Sequence, residues 1–409
     1  MEETILTLTA NRIGSALTIS ALLAVSPALA QKAYGPGASD TEIKLGQSTP
    51  LSGPASAFGA GAGRAVVGYF EMLNEQGGIN GRKINFTQLD NAYSAPKAIE
   101  QSRKLVEDVG VLAEVGTIGT VPNVAIQKFL NSKQVPQLFI TAGGRRFNDP
   151  KTFPWTVPLY PDFETEGAVV AKYILKDHPN AKIGVFYQND DFGKDYVRGL
   201  HSGLGTKASQ IVAEVSYELS DPTIDSQIVQ LKAAGVDTVI EQSAAKATAQ
   251  SIRKIHELNW NPLHIIGGSA ASLETVLKPA GLEASKGLVT TQFLKQPGDP
   301  AWANDQEIKA YKEFLKKYAP SANPDDYSVL VAYMNVNGVT LALKKCGDEL
   351  TRENLIRQAT SLHGERLPLM LPGISISTNP DDYAAFKTLR IAVFDGTSWT
   401  LSGEPLSAE

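Results

Sequence analysis

The order of strand-like and helix-like runs predicts an α/β protein built as two doubly wound parallel-sheet lobes joined by a multi-crossover hinge. Three observations carry that expectation. Short β-rich runs alternate with longer helix-patterned stretches. The alternation occurs twice, once on each side of the proline-rich joint 154-PWTVPLYP-161. The segments beyond residue 288 complete neither half alone, so the chain is expected to cross back between the lobes.

Taken in order, the first half reads as strand 42-EIKLGQ-47, helix 59–76, strand 83-KINFTQLD-90, helix 96–108, strand 111-VLAEVG-116, helix 122–131 and strand 137-QLFIT-141. Helix 59–76 stops at Gly77-Gly78, and the next begins at Pro96 behind Ser94, an N-cap residue type with a proline in the first turn. The second half reads as helix 163–176, strand 182-KIGVFYQ-188, helix 193–204, strand 211-IVAEVSYE-218, helix 225–234, strand 236-VDTVIEQ-242, helix 246–258 and strand 263-LHIIGG-268. There follow an extended run 288-LVTTQFLKQP-297, helical segments at 304–318, 325–344 and 351–360, and a β-rich tail of 373-GISIS-377, 388-TLRIAVFD-395 and 398-SWTLS-402. The expected lobes are 41–159 with 291–371, and 160–290 with 372–405.

Residues 13-IGSALTISALLAVSPALA-30 form an apolar run ending in the small-x-small triplet Ala28-Leu29-Ala30, the pattern of a cleaved export signal. Cleavage near Ala30 and a periplasmic location are expected, although Glu2 and Glu3 stand where such signals are usually basic. With 43% hydrophobic and 20% charged residues the chain has a globular composition. Its mildly acidic balance, net −5, and the absence of a basic block argue against nucleic acid as a partner. A single cysteine, Cys346, excludes an intrachain disulfide, and 341-LALKKCG-347 reads as the buried face of a helix.

One stretch, 57-AFGAGAGRAVV-67, resembles a dinucleotide fingerprint without completing it. Counted from Gly59 the third glycine position holds Arg64, and counted from Gly61 it holds Val66. The loop 48-STPLSGPASAF-58 also separates it from the preceding strand, whereas the fingerprint turns tightly. The better reading is a stripe of small residues that lets a helix approach a sheet closely.

Three segments carry a family resemblance: 52-SGPASAFG-59 after the first strand, 71-EMLNEQGGINGRKI-84 after the first helix, and 189-NDDFGKDY-196 after the first strand of the second half. With them, the chain beyond residue 30 resembles the periplasmic binding proteins of branched-chain amino-acid-type ABC transporters, the type I two-lobed fold. The tail segments 346-CGDELTRENL-355 and 368-PLMLPGISIST-378 look like a branch associated with aromatic and other carboxylic acids. The resemblance implies a monomer without cofactor or metal that closes on a small-molecule ligand and delivers it to an ABC permease in the inner membrane. The alternatives are a binder of branched-chain amino acids or amides, or a sensory ligand-binding module of the same fold.

Carried onto this chain, the resemblance places ligand contacts in loops at the carboxyl ends of strands, where an open α/β sheet binds ligands on physical grounds as well. In the first lobe these are Phe58, the run Thr117, Ile118, Gly119 and Thr120, and the run Ala142, Gly143, Gly144 and Arg145. In the second they are Phe192, Ser243, Ala244, Gly268 and Ser269, with Tyr160 at the joint. Amino-acid binders of the family hold the ligand ammonium with an acid near the end of the strand that here finishes 265-IIGGSAAS-272, yet no carboxylate occurs there before Glu274. A desolvated ammonium without a counter-charge costs several kcal/mol, so an α-amino acid is disfavoured. Arg145, in 139-FITAGGRRFNDP-150, offers a planar fork suited to a carboxylate, or else pairs at the surface with acids such as Asp149; Arg146 competes for the same role. Phe58, Phe192 and Tyr160 supply flat apolar surface, favouring an aromatic acid such as a benzoate or cinnamate derivative.

Nothing in the sequence points to catalysis. The five histidines are scattered without metal-ligand spacing, and no G-x-S-x-G elbow occurs. Asp190 and Asp191 are expected to bend a loop or cap the helix that follows.

Overall fold

The computed structural model describes residues 32–53 and 55–408; the expected export signal lies outside the described residues. The chain begins with β1 (Ala33–Tyr34), β2 (Glu42–Thr49), α1 (Ser56–Glu75), β3 (Lys83–Asp90), α2 (Ala95–Arg103), β4 (Ala113–Val115), α3 (Thr120–Ser132), β5 (Gln137–Ile140) and β6 (Thr156–Pro158). It continues through α4 (Phe163–Asp177), β7 (Ile183–Gln188), α5 (Asp191–Leu204), β8 (Ile211–Tyr217), α6 (Asp225–Ala233), β9 (Thr238–Gln242), α7 (Ala245–Glu257), β10 (Leu263–Ile266), α8 (Lys278–Ala280) and β11 (Val289–Gln292). The last part holds α9 (Gln306–Tyr318), α10 (Tyr327–Cys346), β12 (Glu349–Leu350), α11 (Arg352–Ala359), β13 (Thr388–Phe394) and β14 (Trp399–Ser407).

Two sheets result. The first runs β3-β2-β4-β5-β6 and is parallel throughout. The second runs β14-β13-β11-β10-β9-β7-β8, parallel from β8 to β11 and finished by antiparallel β13 and β14. The expected α/β fold is therefore present, with an antiparallel edge on the second sheet. Strands such as β5 and β9 are buried along their whole length, because helices cover both faces. The expected strand 373–377 does not form: Ile376 makes only an isolated bridge to Glu365 within a connecting segment.

The glycines of α1 serve close packing. A Cβ on Gly59 would sit 2.1 Å from the Pro50 carbonyl oxygen, on Gly63 2.7 Å from Leu51, and on Gly61 3.0 Å from Val329 of α10. Helices α9 and α10 pack on α1, so the chain returns to the first lobe after β11 and leaves it again before β13. Two connecting segments pair where they cross, Leu371 N donating to Phe293 O at 2.9 Å and Lys295 N to Leu369 O at 2.7 Å. Lys295 is buried there between Asp305 and Glu307, at 2.5 and 2.9 Å. Against the opposing effect of partial burial, Arg366 and Lys295 hold the Glu307 carboxyl at about 2.

Candidate functional site

Between the two sheets lies a cavity with about 660 Å³ of empty space, partly open to solvent. Its walls come from the carboxyl ends of strands and the first turns of helices: Ala55 and Phe58 at the start of α1, Ile118 to Thr120 before α3, Thr141 and Ala142 after β5. From the other side come Gln188 and Phe192 around the start of α5, Leu219 after β8, Ala244 before α7 and Ser269 after β10. Tyr160 and Phe163, between β6 and the first turn of α4, and Tyr327, Ser328 and Val331 in the first turns of α10 complete the wall. Among these wall residues no side chain is charged, and six, counting Tyr93, are aromatic. Several of the rings form a continuous edge-on series, Phe192 to Phe163 at 5.1 Å, Phe163 to Tyr160 at 6.1 Å and Tyr160 to Phe293 at 5.7 Å.

Of the positions expected from sequence, Phe58, Ile118, Gly119, Thr120, Ala142, Tyr160, Phe192, Ala244 and Ser269 line this cavity. The other six do not. Thr117 is buried, pointing away from the wall that Ile118 forms, since successive side chains in extended backbone alternate. Ser243 turns inward to bond Glu241 and, at 2.6 Å, Thr248. Gly268 gives its N–H to Glu166 at 2.7 Å. Gly143 and Gly144 pack against the second lobe: a Cβ on Gly143 would meet the Pro161 carbonyl oxygen at 2.1 Å.

Arg145 requires a correction. Its guanidinium is half exposed and lies 3.7 Å from Asp162 and 3.8 Å from Glu164, outside the cavity walls. Residues Arg145–Phe147 form a 3₁₀ turn. Arg146 turns to Asp191 at 3.5 Å and donates to Gln127 at 3.3 Å. The Arg145 backbone N–H meets the buried Asp195 at 2.6 Å. This turn of the first lobe thus holds α4 and α5 of the second, and it binds lobe to lobe.

Several wall residues carry no sequence signal of their own, above all Tyr93, Gln188 and Tyr327. Tyr93 has φ +60 and Ala92 φ +50, both in the left-handed region that favours glycine. The carboxylate of Asp90 and the amide oxygen of Asn91 stabilise this turn by accepting from Ala92 N and Tyr93 N at 2.9 and 2.8 Å. Strain concentrated beside a cavity fits a group held in place for binding. Burial raises the pKa of the Tyr93 phenol, and the neighbouring backbone of Val121 and Thr120 opposes that rise. Gly119, with φ +99, leaves the room the ring needs: a Cβ there would be 2.3 Å from it.

Polar groups at the cavity's far side are few. Among the described residues Ser269 Oγ has no hydrogen-bond partner. Behind it lies Glu166, fully buried, accepting from Gly268 N and, at 2.5 Å, from Thr291 Oγ1; burial raises its carboxyl pKa. Burial and, after it, the charge of Glu166 also raise the phenols of Tyr160 and Tyr196. Asp190 caps α5 by accepting from Phe192 N at 3.0 Å, and burial raises its pKa too. Cys346 ends α10 as a buried thiol pushed up to about 12 by burial, an inert group. Among the described residues no group of His, Cys, Asp and Glu is arranged to hold a metal ion.

Residues 42–396 match the family described as periplasmic binding protein. The chain belongs to the periplasmic binding protein family. This binding protein is 26% identical over 341 residues to Leu/Ile/Val-binding protein homolog 7 of Brucella suis biovar 1, spanning 81% of each chain. Its fold superposes with TM-score 0.78, at 19% identity, on a branched-chain amino acid ABC transporter protein from Thermus thermophilus with bound valine, covering 90% of this chain and 97% of that one. A fatty acid ABC transporter substrate-binding protein from Thermomonospora curvata matches with TM-score 0.73 at 21% identity, covering 92% and 95%. The fold is the type I periplasmic binding fold.

Proposed function

We propose that this binding protein is the periplasmic component of an importer and captures a small apolar carboxylic acid, best an aromatic one, by closing its two lobes around it. The supporting observation is the cavity wall itself: aromatic from both sides and without a charged side chain. A zwitterionic amino acid would leave its ammonium uncompensated there, at a cost of several kcal/mol. A lone carboxylate is better served. The N-cap residues of α1 and α7, Ala55 and Ala244, both line the cavity and neither caps its helix with a side chain. Helix N-termini favour negative charge, and their first-turn amides need acceptors. A ligand touching both lobes binds the closed state better and shifts the population toward it.

A second reading has its own observation. Glu166 accepts from the N–H of Gly268, the residue before the wall residue Ser269, and a small side-chain movement would give a ligand ammonium its counter-charge. Branched-chain amino acids would then bind. A thermal-shift panel of benzoate-type and cinnamate-type acids, short aliphatic acids, amides and branched-chain amino acids separates the two. A micromolar ligand at millimolar concentration stabilises by roughly 4 kcal/mol, an easily measured shift. Stabilisation by aromatic acids supports the first reading; stabilisation by leucine or valine alone, abolished in Glu166→Gln, replaces it with the second.

A further inference from the structure

Resting on the carboxylic-acid reading of the inner cavity, we infer that the site continues into a second chamber and that the preferred ligand carries a second anionic group which lodges there. The outer chamber holds about 1120 Å³ of empty space, open to solvent. Ala55, Phe58, Leu219 and Ala244 line both chambers, so only one layer of side chains separates them.

The outer chamber differs from the inner in charge. One wall is a face of α7 on which Lys246, Gln250 and Arg253 follow at the spacing that places residues on one side of a helix. Among the described residues Lys246 forms no ion pair, and Arg253 donates only to the carbonyl oxygen of Pro279, at 2.8 Å. One carboxylate lines the chamber, Asp221, and its Oδ2 already accepts from Glu218 N at 2.9 Å. A single exposed cation would be an ordinary solvated charge. Two unpaired cations lining a concavity that adjoins an uncharged pocket concentrate positive potential where the far end of a long ligand would emerge. Seven residues of helix separate them by about 10 Å along the axis, so the cations span a range of ligand lengths. The ligand class is an elongated dicarboxylate, its ring or alkyl body and first carboxylate inside and its second carboxylate at Lys246 or Arg253.

The test titrates the full exported chain with matched probes: cinnamate against 4-carboxycinnamate, and octanoate against octanedioate. At least one diacid should bind ten-fold tighter or more than its monoacid. Lys246→Ala or Arg253→Ala should erase that gain while leaving the monoacid affinity as it was, and Asp221→Asn should increase it. Monoacids that bind with no gain for either diacid would overturn the second chamber alone. A gain that survives both alanine variants and the double variant would also overturn it. Absence of binding by every acid would overturn both this inference and the reading on which it rests.

Discussion

At Glu114, in the middle of the first sheet, a carboxyl group is enclosed; among the described residues one oxygen accepts from Ser102 and the other has no hydrogen-bond partner. Burial raises its pKa to about 7. Between its unfolded value and 7 the unfolded chain loses this proton while the native chain keeps it, so stability falls as pH rises through that window and levels off above it. The full effect is on the order of 3 kcal/mol. Glu114→Gln should therefore have a melting temperature that changes less between pH 5 and pH 8 than the parent's; parallel profiles would show that the group does not titrate there. At the cavity, Phe58 is only partly buried, so Phe58→Ala should cost little stability yet weaken a stacked ligand by about 1 kcal/mol or more. Titration calorimetry with the ligand found by the panel checks this, and an unchanged Kd would remove Phe58 from the site. Arg145→Ala should leave acid binding nearly as it was, because its guanidinium lies outside the cavity walls and its ion pairs with Asp162 and Glu164 are long. Whether Arg145 reaches a ligand was not legible in the sequence: it depends on the 3₁₀ turn, and the glycine-led sequence equally permits extended backbone.

The turn Arg145–Phe147 and helix α5 act as a pair of elements that meet when the lobes do. Asp195→Ala should weaken every ligand by the same factor, charged or neutral, since it removes a lobe-to-lobe hydrogen bond between a carboxylate and the part-buried Arg145 amide, worth about 1–3 kcal/mol. A loss confined to acidic ligands would instead restore the clamp. Gly119→Ala tests the other loop. With φ +99 and a Cβ 2.3 Å from the Tyr93 ring, it should cost more than about 1 kcal/mol in stability and distort the cavity entrance, read as a lowered Tm with weakened binding. Elements with strong periodicity were legible in the sequence to within a few residues: α1 was expected at 59–76 and occupies Ser56–Glu75. Others were not. The pattern 373-GISIS-377 alternates like a strand, but strands need partners, and of these five residues only Ile376 makes a bridge. Tyr93 was invisible because a left-handed tyrosine is chosen by the surrounding turn, not by local preference.

For the molecule as a whole, the lobes already touch through Arg145 and Asp195, and the ligand adds contacts on both sides of the same gap. Small-angle scattering should show a smaller radius of gyration on adding the ligand; an unchanged value would mean that binding does not proceed by closure. The two-lobed architecture was legible because β and α runs alternate twice over. The cavity's lack of charge was legible only in part, through the missing acid in 265-IIGGSAAS-272, because residues from ten separate segments compose the wall. The second sheet has one more consequence. Strand β11 gains its outer neighbour only from β13, about a hundred residues later. A chain emerging from a translocon amino end first must wait for nearly its whole length before that edge is covered, and until then β11 offers unpaired backbone to any neighbouring chain. Secretion yield should therefore depend on holding the nascent chain apart from its copies, and substitutions in β13 or β14 should appear first as inclusion bodies, ahead of any loss of ligand affinity.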